Sequence, residues 1–434
     1  MRKLLILLTV AMLCTPLAAG AQSLDAVAKA LGAGNVKSIE IQGSGSMYQV
    51  GQAYTAGTAY PHFTARNLTR LINYDTASMR EERVWARTLE PPKGGGIYIR
   101  GENKVVGAVS GDFAWNVAGE TATTAPIALV DRQFQLWSTP HGVVKAAMAR
   151  KGTLRGREIA FAIPGSFRAT ATLDPKNMIE RVDAVLANPV LGDMYVTVTY
   201  ADYRDFDGVK FPTKIRQTYH GFPALDITVS EVKVNAAADI TVPDSVKQAG
   251  NPYVRVTSQK AADGVWYVTG GSHHSVVIEM SDHVIVVESP LNDDRALAVL
   301  KETRTLVPNK PIKYLIVSHH HFDHAGGVRA FAGEGATLIT AEGNKTYFER
   351  AVGGTTTVSP DMLMVYLPKE KLLIEADAFT PLAPGAPAMN PPSIFNVSLV
   401  DNIKKQSLAV EQILPLHGRM VPVEELHKAA GTTP

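Results

Sequence analysis

The chain of 434 residues has almost no cysteine: Cys14 is the only one. A disulfide scaffold and a cysteine-rich zinc finger are therefore both excluded. It also has no surplus charge of either sign, with 43 Lys and Arg against 41 Asp and Glu. No basic run and no interleaving of basic with aromatic side chains offers the clustered cations that a phosphate backbone needs, so nucleic acid is not expected as a partner. Beyond the N-terminus no apolar stretch approaches the ~18 residues of a membrane-spanning helix. The absence of a Gly-x-Ser-x-Gly elbow removes the usual serine-hydrolase signature. Gly and Pro, at 35 and 26 residues, are too few for a collagen-like repeat or a disordered chain. What remains is an ordinary globular composition, 45% hydrophobic, long enough for two domains.

Residues 1–21 read as a secretory signal peptide. Arg2 and Lys3 form its basic start, Leu4–Leu13 its apolar core, and Ala19-Gly20-Ala21 a small-residue cleavage site before Gln22. Removing it takes away Cys14 and both N-terminal cations. A periplasmic or secreted location suits a mature chain without thiols. Lipidation at Cys14 is the rival reading, and the bulky Leu13 before it argues against that.

The mature sequence changes character midway. Residues 22–245 read as a β-rich domain. Met194–Tyr200 alternates with period two, Asp207-Gly208 marks a hairpin, and Leu225–Val234 alternates again. A helical interruption is predicted over Ile127–Lys151, with Pro140 opening its second half. The end of this region, Asp207-Gly208-Val209-Lys210-Phe211-Pro212 followed by Val232-Lys233-Val234-Asn235, loosely resembles the bacterial outer-membrane lipoprotein carrier and sorting proteins. That likeness implies a curved antiparallel sheet with a helical lid, and it leaves open both an accessory domain and a carrier of an apolar ligand. Trp85, Trp115 and Trp137 are assigned to the core. The segment Asp239–Pro252, rich in turn formers, separates this domain from a second one at 253–434.

The second domain alternates strand and helix signals. Lys313–Ser318 is a near-continuous apolar run, as in a strand covered on both faces. Directly after it comes His319-His320-His321-Phe322-Asp323-His324-Ala325-Gly326-Gly327, which holds four of the chain's 12 histidines. Neutral imidazoles and carboxylates are the ligands of a borderline divalent metal such as zinc. His319 and His321, two apart on an extended segment, project to one side, and His320 points the other way. Four buried imidazoles without a metal would each need another partner. Asp377 and His417 follow apolar segments at element ends, where ligands gather. His273 and His274 are weaker candidates, and an exposed loop pair is the alternative for them.

This half resembles the metallo-β-lactamase fold superfamily. The marks are Val265-Trp266-Tyr267-Val268, Glu288 ending a strand, the His319/His321/Asp323/His324 motif, Ala376-Asp377 and Leu416-His417-Gly418. The resemblance implies an α+β chain whose C-terminal part is an αβ/βα sandwich, with one or two zinc ions at its edge. It implies that His319 and His321 serve a first zinc, that Asp323, His324 and His417 serve a second, and that Asp377 bridges them. It implies attack on an ester, amide (a β-lactam among them), lactone or thioester of a small-molecule substrate by a metal-bound hydroxide, with Asp323 as the catalytic carboxylate. The sequence departs from the family in one respect. No histidine lies between His324 and His417 to act as third ligand of the first zinc; Val358 stands in its place, with Ser359 and Asp361 beside it, and the interval Glu349–Pro360 is short. A family member that binds metal with little turnover is therefore a second reading.

Overall fold

The computed structural model describes residues 23–89, 92–94, 101–352, 356–359 and 363–433. The expected signal peptide lies outside them.

The first half is one antiparallel sheet of 13 strands. Its first strand, Ser38–Tyr48, pairs with its last, Phe222–Val234, at the middle, and the remaining strands meander outward to both sides. An open sheet of this width must curl. Here it curls around the helix Leu129–Trp137, which touches strands from both arms of the sheet. Phe134 of that helix sits edge-on to Phe167 with ring centroids 5.3 Å apart. The next helix, Pro140–Ala149, starts at the expected proline, with Thr139 accepting from the backbone N–H of Gly142. Trp85, Trp115 and Trp137 are buried as assigned. The sequence reading found the strands after residue 160 and passed over the long ones at His62–Asn73 and Ser78–Arg87. Those strands carry Arg70, Glu81 and Arg83, which break the apolar alternation with charges that pair inside the sheet.

His141 makes this half sensitive to acid. Its ring is fully buried, stacked on Phe211 and paired through Nε2 with the Leu31 carbonyl at 3.2 Å. Burial pushes its pKa down to about 4. The unfolded chain binds the proton near the ordinary value of about 6.5, so the native state alone must keep the ring neutral. Stability is then fully present above about pH 6.5 and falls by roughly 3 kcal/mol as pH drops towards 4. Urea unfolding of His141→Gln should show a shallower loss over that window than the parent; parallel losses would refute the assignment.

The second half is a four-layer sandwich. A seven-stranded sheet runs from Thr257–Ala262 to Thr356–Ser359, and a four-stranded sheet from Val365–Leu367 to Val421–Pro422. Val265, Tyr267, Val276 and Val287 of the first meet Leu372, Ile374, Leu414 and Leu416 of the second in one apolar layer. Asp293–Leu306 and its neighbours cover the outer face of the larger sheet, and Ile394–Lys405 with Val423–Ala430 covers the smaller. This is the α+β architecture expected from the sequence.

Parallel pairing sets where the chemistry can sit. Val284–Val287 pairs in parallel with Ile312–Ile316, and Leu372–Glu375 with Gln412–Pro415. Glu288, the segment 318–324, Asp377 and His417 all follow the C-terminal ends of these strands, the edge at which α/β folds gather their sites. Gly326 and Gly327 let the next turn pack against that edge. A Cβ at Gly326 would lie 2.0 Å from the Leu291 carbonyl oxygen, and one at Gly327 would lie 2.4 Å from Ala296 Cβ.

Candidate metal centre

The motif's local geometry starts from Glu288. It has no exposed surface and a positive φ of 70°, a strained conformation for a residue with a Cβ. Its carboxylate accepts from the Ser318 backbone N–H at 3.0 Å, from the Ser318 hydroxyl at 2.6 Å and from His324 Nδ1 at 3.0 Å. These bonds tie the end of one strand to the start of the histidine segment on the next.

His319, His321 and His324 each have one ring nitrogen spent on an outer partner. The Ser318 hydroxyl, having given its proton to Glu288, accepts from His319 Nδ1 at 2.9 Å. His321 Nε2 donates to the Ala53 carbonyl at 3.0 Å. His324 Nδ1 donates to Glu288. Such outer bonds fix the tautomer and leave the opposite nitrogen's lone pair facing inward, as in a metal-ligating histidine.

The inward nitrogens converge on Asp377. Its Oδ2 lies 3.3 Å from His319 Nε2 and 3.7 Å from His321 Nδ1. Its Oδ1 lies 3.0 Å from His324 Nε2 and 3.1 Å from His417 Nε2. One carboxylate thus presents an oxygen to each of two histidine sets. His324 Nε2 and His417 Nε2 approach each other to 2.9 Å. Asp323 lies to the side, accepting from Gln52 Nε2 at 2.7 Å and facing His273 Nε2 at 3.1 Å.

Two groups have ligand atoms close enough to share an ion: His273, Asp323, His324 and His417, and His319, His324 and Asp377. The donors fit a divalent metal on a structural observation. His319 Nε2, His321 Nδ1 and Asp377 Oδ1 are buried without hydrogen-bond geometry to any described residue. Buried polar atoms are nearly always satisfied, and a cluster of orphans with nitrogen and oxygen donors is what a bound divalent metal ion resolves.

Burial and the nearby carboxylates pull the rings in opposite directions. Burial pushes the pKa of His319 and His273 down, so both rings are held neutral. Burial also opposes charge on His324, but Asp377, Glu288 and Asp323 outweigh it and raise its pKa well above the ordinary value. Burial alone would raise Asp377, and the neighbouring His324 and His319 more than reverse this, leaving it well below the carboxylate range. Asp323 is lowered in the same way against burial, chiefly by His273 and His324. Glu375, two residues before Asp377, is raised by burial and accepts from the backbone N–H groups of Ala378 and Phe379, holding the turn that presents Asp377.

All six residues singled out as ligands from the sequence, His319, His321, Asp323, His324, Asp377 and His417, lie within this one cluster. His321 is the outlier: it reaches Asp377 but joins neither group of possible co-ligands. His320 points away, packing against Tyr347 with ring centroids 5.8 Å apart. His273 is not an exposed loop residue; it bridges in strand fashion to His417 and faces Asp323. His274 turns away from the centre to the Gly418 carbonyl at 2.7 Å. The backbone of Val358 and Ser359 forms the edge strand beside Thr337–Ala341. Their side chains, and Asp361, lie outside the described residues.

Sequence reasoning missed one contribution entirely. The loop after the first long strand of the β-rich half supplies Gln52 to Asp323, the Ala53 carbonyl to His321 and the Gly51 carbonyl to the Phe322 N–H at 3.2 Å. A Cβ at Gly51 would strike the Phe322 ring at 2.5 Å. The run Gly51-Gln52-Ala53 carries no motif, and its partners are about 270 residues away in the chain.

Comparison with known proteins follows the same half of the chain. The model of the metallo-beta-lactamase superfamily matches residues 268–350. Similar solved structures include the metallo-beta-lactamase FIM-1 from Pseudomonas aeruginosa in its mono-zinc form, at 20% identity and a TM-score of 0.32, over 41% of this chain and 93% of that one. A metallo-beta-lactamase from Pontibacter korlensis is 15% identical with a TM-score of 0.35, over 41% of this chain and 98% of that one. One from Hirschia baltica is 18% identical with a TM-score of 0.34, over 41% and 96%. Among curated proteins nothing matches.

Proposed function

We propose that the C-terminal part of the chain, a member of the metallo-β-lactamase superfamily, is a zinc-dependent hydrolase of a small-molecule ester, amide, lactone or thioester, working in the periplasm or outside the cell. The observation that carries this reading is the pair of Asp377 oxygens, each facing its own set of inward-turned histidine nitrogens. His319, His321 and Asp377 would hold one ion, on the approach of both rings to Asp377 Oδ2; Asp323, His324 and His417 would hold a second with Asp377 Oδ1, and His273 is grouped with Asp323, His324 and His417 as a further donor. Zinc, when bound, lowers the pKa of water towards 7 and polarises a carbonyl.

The chain's own residues do the rest. Glu288 and Ser318 keep His319 and His324 in the tautomers that present Nε2 to the centre. Asp323, gripped by Gln52 and His273, keeps its carboxylate ionised and fixed, so that it can orient a water and accept its proton. The loop 49–53 closes over the histidine segment and limits access of bulk water to it.

In a zinc-loaded full-length preparation, Asp323→Ala should lower turnover of an ester and lactone panel by about 10²–10⁴-fold. Turnover in the variant equal to the parent's would remove Asp323 from the chemistry. Zinc binding with no turnover by the parent would instead favour a metal-binding member without hydrolytic activity.

A further inference from the structure

The concave face of the large sheet is not filled throughout. Beneath the helix Leu129–Trp137 lies a cavity of about 580 Å³, within the roughly 300–1,000 Å³ of small-molecule sites. It extends from the interior of the β-rich half to Leu291, Phe322 and Asp323, at the edge of the candidate metal centre. Met47, Trp85, Val130, Met194 and Leu225 give it apolar walls.

Its charged lining is internally matched. Glu81 accepts from Arg70 Nε at 2.7 Å and pairs with Arg83 Nε at 3.1 Å. Asp131 accepts from Gln135 Nε2 at 2.7 Å and from the Tyr219 hydroxyl. Burial raises the Asp131 pKa, and the Tyr219 hydroxyl and the Arg83 and Arg132 charges oppose that rise. Arg70 and Arg83 are thus set against Glu81 and Asp131, which leaves the lining, Asp323 apart, with no formal surplus charge to recognise an ionic arm, and burying one would be costly.

Gln52 adds a specific demand. Its side chain lines the cavity and the residue is only 7% exposed. Its Nε2 donates to Asp323 Oδ1 at 2.7 Å, which fixes the amide orientation, because the reverse would set oxygen against carboxylate. Oε1 is thereby left buried with no hydrogen-bond partner among the described residues, and Gln49 Oε1 in the same lining is in the same state. Orphaned buried acceptors are rare, and a ligand that brings a donor satisfies them.

We propose that this cavity is the substrate pocket of the metal centre, and that it takes an uncharged secondary amide with an apolar acyl arm. The arm lies along Met47, Trp85, Val130, Met194 and Leu225, the carbonyl sits beside Asp323, and the amide N–H donates to Gln52 Oε1. In the reaction, water oxygen bonds to the carbonyl carbon, the C–N bond breaks, and one water proton ends on the leaving amine. An ester or an N-methylated amide carries no such N–H and leaves Gln52 unpaired. This inference rests on the hydrolase reading for its chemistry and on the cavity alone for its binding.

The test compares decanoyl p-nitroanilide with its N-methyl counterpart on the zinc-loaded full chain. Binding is measured by equilibrium dialysis, with products quantified in the same samples. Each rate is divided by that of alkaline hydrolysis of the same probe. The secondary amide should be preferred by at least about tenfold, since sites built around a hydrogen bond reject analogues that lack it. In Gln52→Met that preference should vanish whatever happens to the overall rate, because a merely structural role for Gln52 would not change the ratio between two probes. Met194→Trp, which fills the cavity away from the centre, should lower the ratio of decanoyl to acetyl anilide binding, because only the longer arm reaches that wall. Equal binding and turnover of the two probes by the parent would overturn the inference, and that comparison needs no variant to fold. Preferential binding without products would overturn the hydrolase reading alone. Products without preference would overturn this inference alone.

Discussion

Asp377→Ala should strip the protein of zinc and of hydrolytic activity together. Among the described residues no other side chain presents an oxygen to both histidine sets, with Oδ2 towards His319 and His321 and Oδ1 towards His324 and His417. Losing a partner behind a ligand typically costs 10–100-fold in affinity or activity, so losing this carboxylate should cost more than about 100-fold in both. The fold should survive, because Glu375, not Asp377, caps the turn at Ala378 and Phe379. Elemental analysis and circular dichroism of the same sample would check the two statements. A variant that keeps its zinc would show that Asp377 is not a ligand.

Glu288→Ala should produce the largest loss of stability of any substitution near the site. The parent carboxylate is fully buried and satisfies three donors, the Ser318 N–H, the Ser318 hydroxyl and His324 Nδ1. Removing one partner of such a buried charged network costs about 3–5 kcal/mol. For a domain of this size that corresponds to a fall in Tm of roughly 6–20 °C. Zinc affinity should fall as well, by about 10–100-fold, because His319 and His324 lose the bonds that set their tautomers. Glu288→Gln keeps the shape and two acceptor sites, and its effect should be intermediate. An unchanged melting curve for Glu288→Ala would contradict the role given to this residue.

The two halves of the chain differed in how far their sequence could be read. In the second half the signals were local. An apolar strand, a histidine segment and two glycines follow one another within about 15 residues, and each feature has its own physical cause in the structure. Leu315 is buried in the outer core and Ile316 packs against the inner one, though Lys313 at the strand's start is exposed; the histidines follow its C-terminal end, and Gly326 and Gly327 stand where a Cβ would collide. Asp377 and His417 were expected from their places at strand ends together with the resemblance, and both lie beside His324. His273 was underrated, because its place depends on an isolated bridge to His417 that no local pattern announces.

In the first half the hairpins after residue 160 were legible from turn residues and alternation. The strands His62–Asn73 and Ser78–Arg87 were not, because Arg70, Glu81 and Arg83 occupy positions where alternation predicts apolar side chains. Arg70 and Glu81 are buried as a pair and the half-buried Arg83 shares the same carboxylate, a solution that depends on the pairing of two strands. Gln52 illustrates the same limit at the site itself. Its role comes from the docking of one half on the other, across 271 residues of chain.

The most direct test of the metal centre is the zinc content of the purified full-length protein after dialysis against buffer with trace zinc. With His319, His324, Asp377 and His417 turned inward around a shared space, at least one zinc ion per chain should be retained, and Asp377→Ala should retain none. A parent protein without bound metal would contradict the account, and the inward nitrogens would then need another partner.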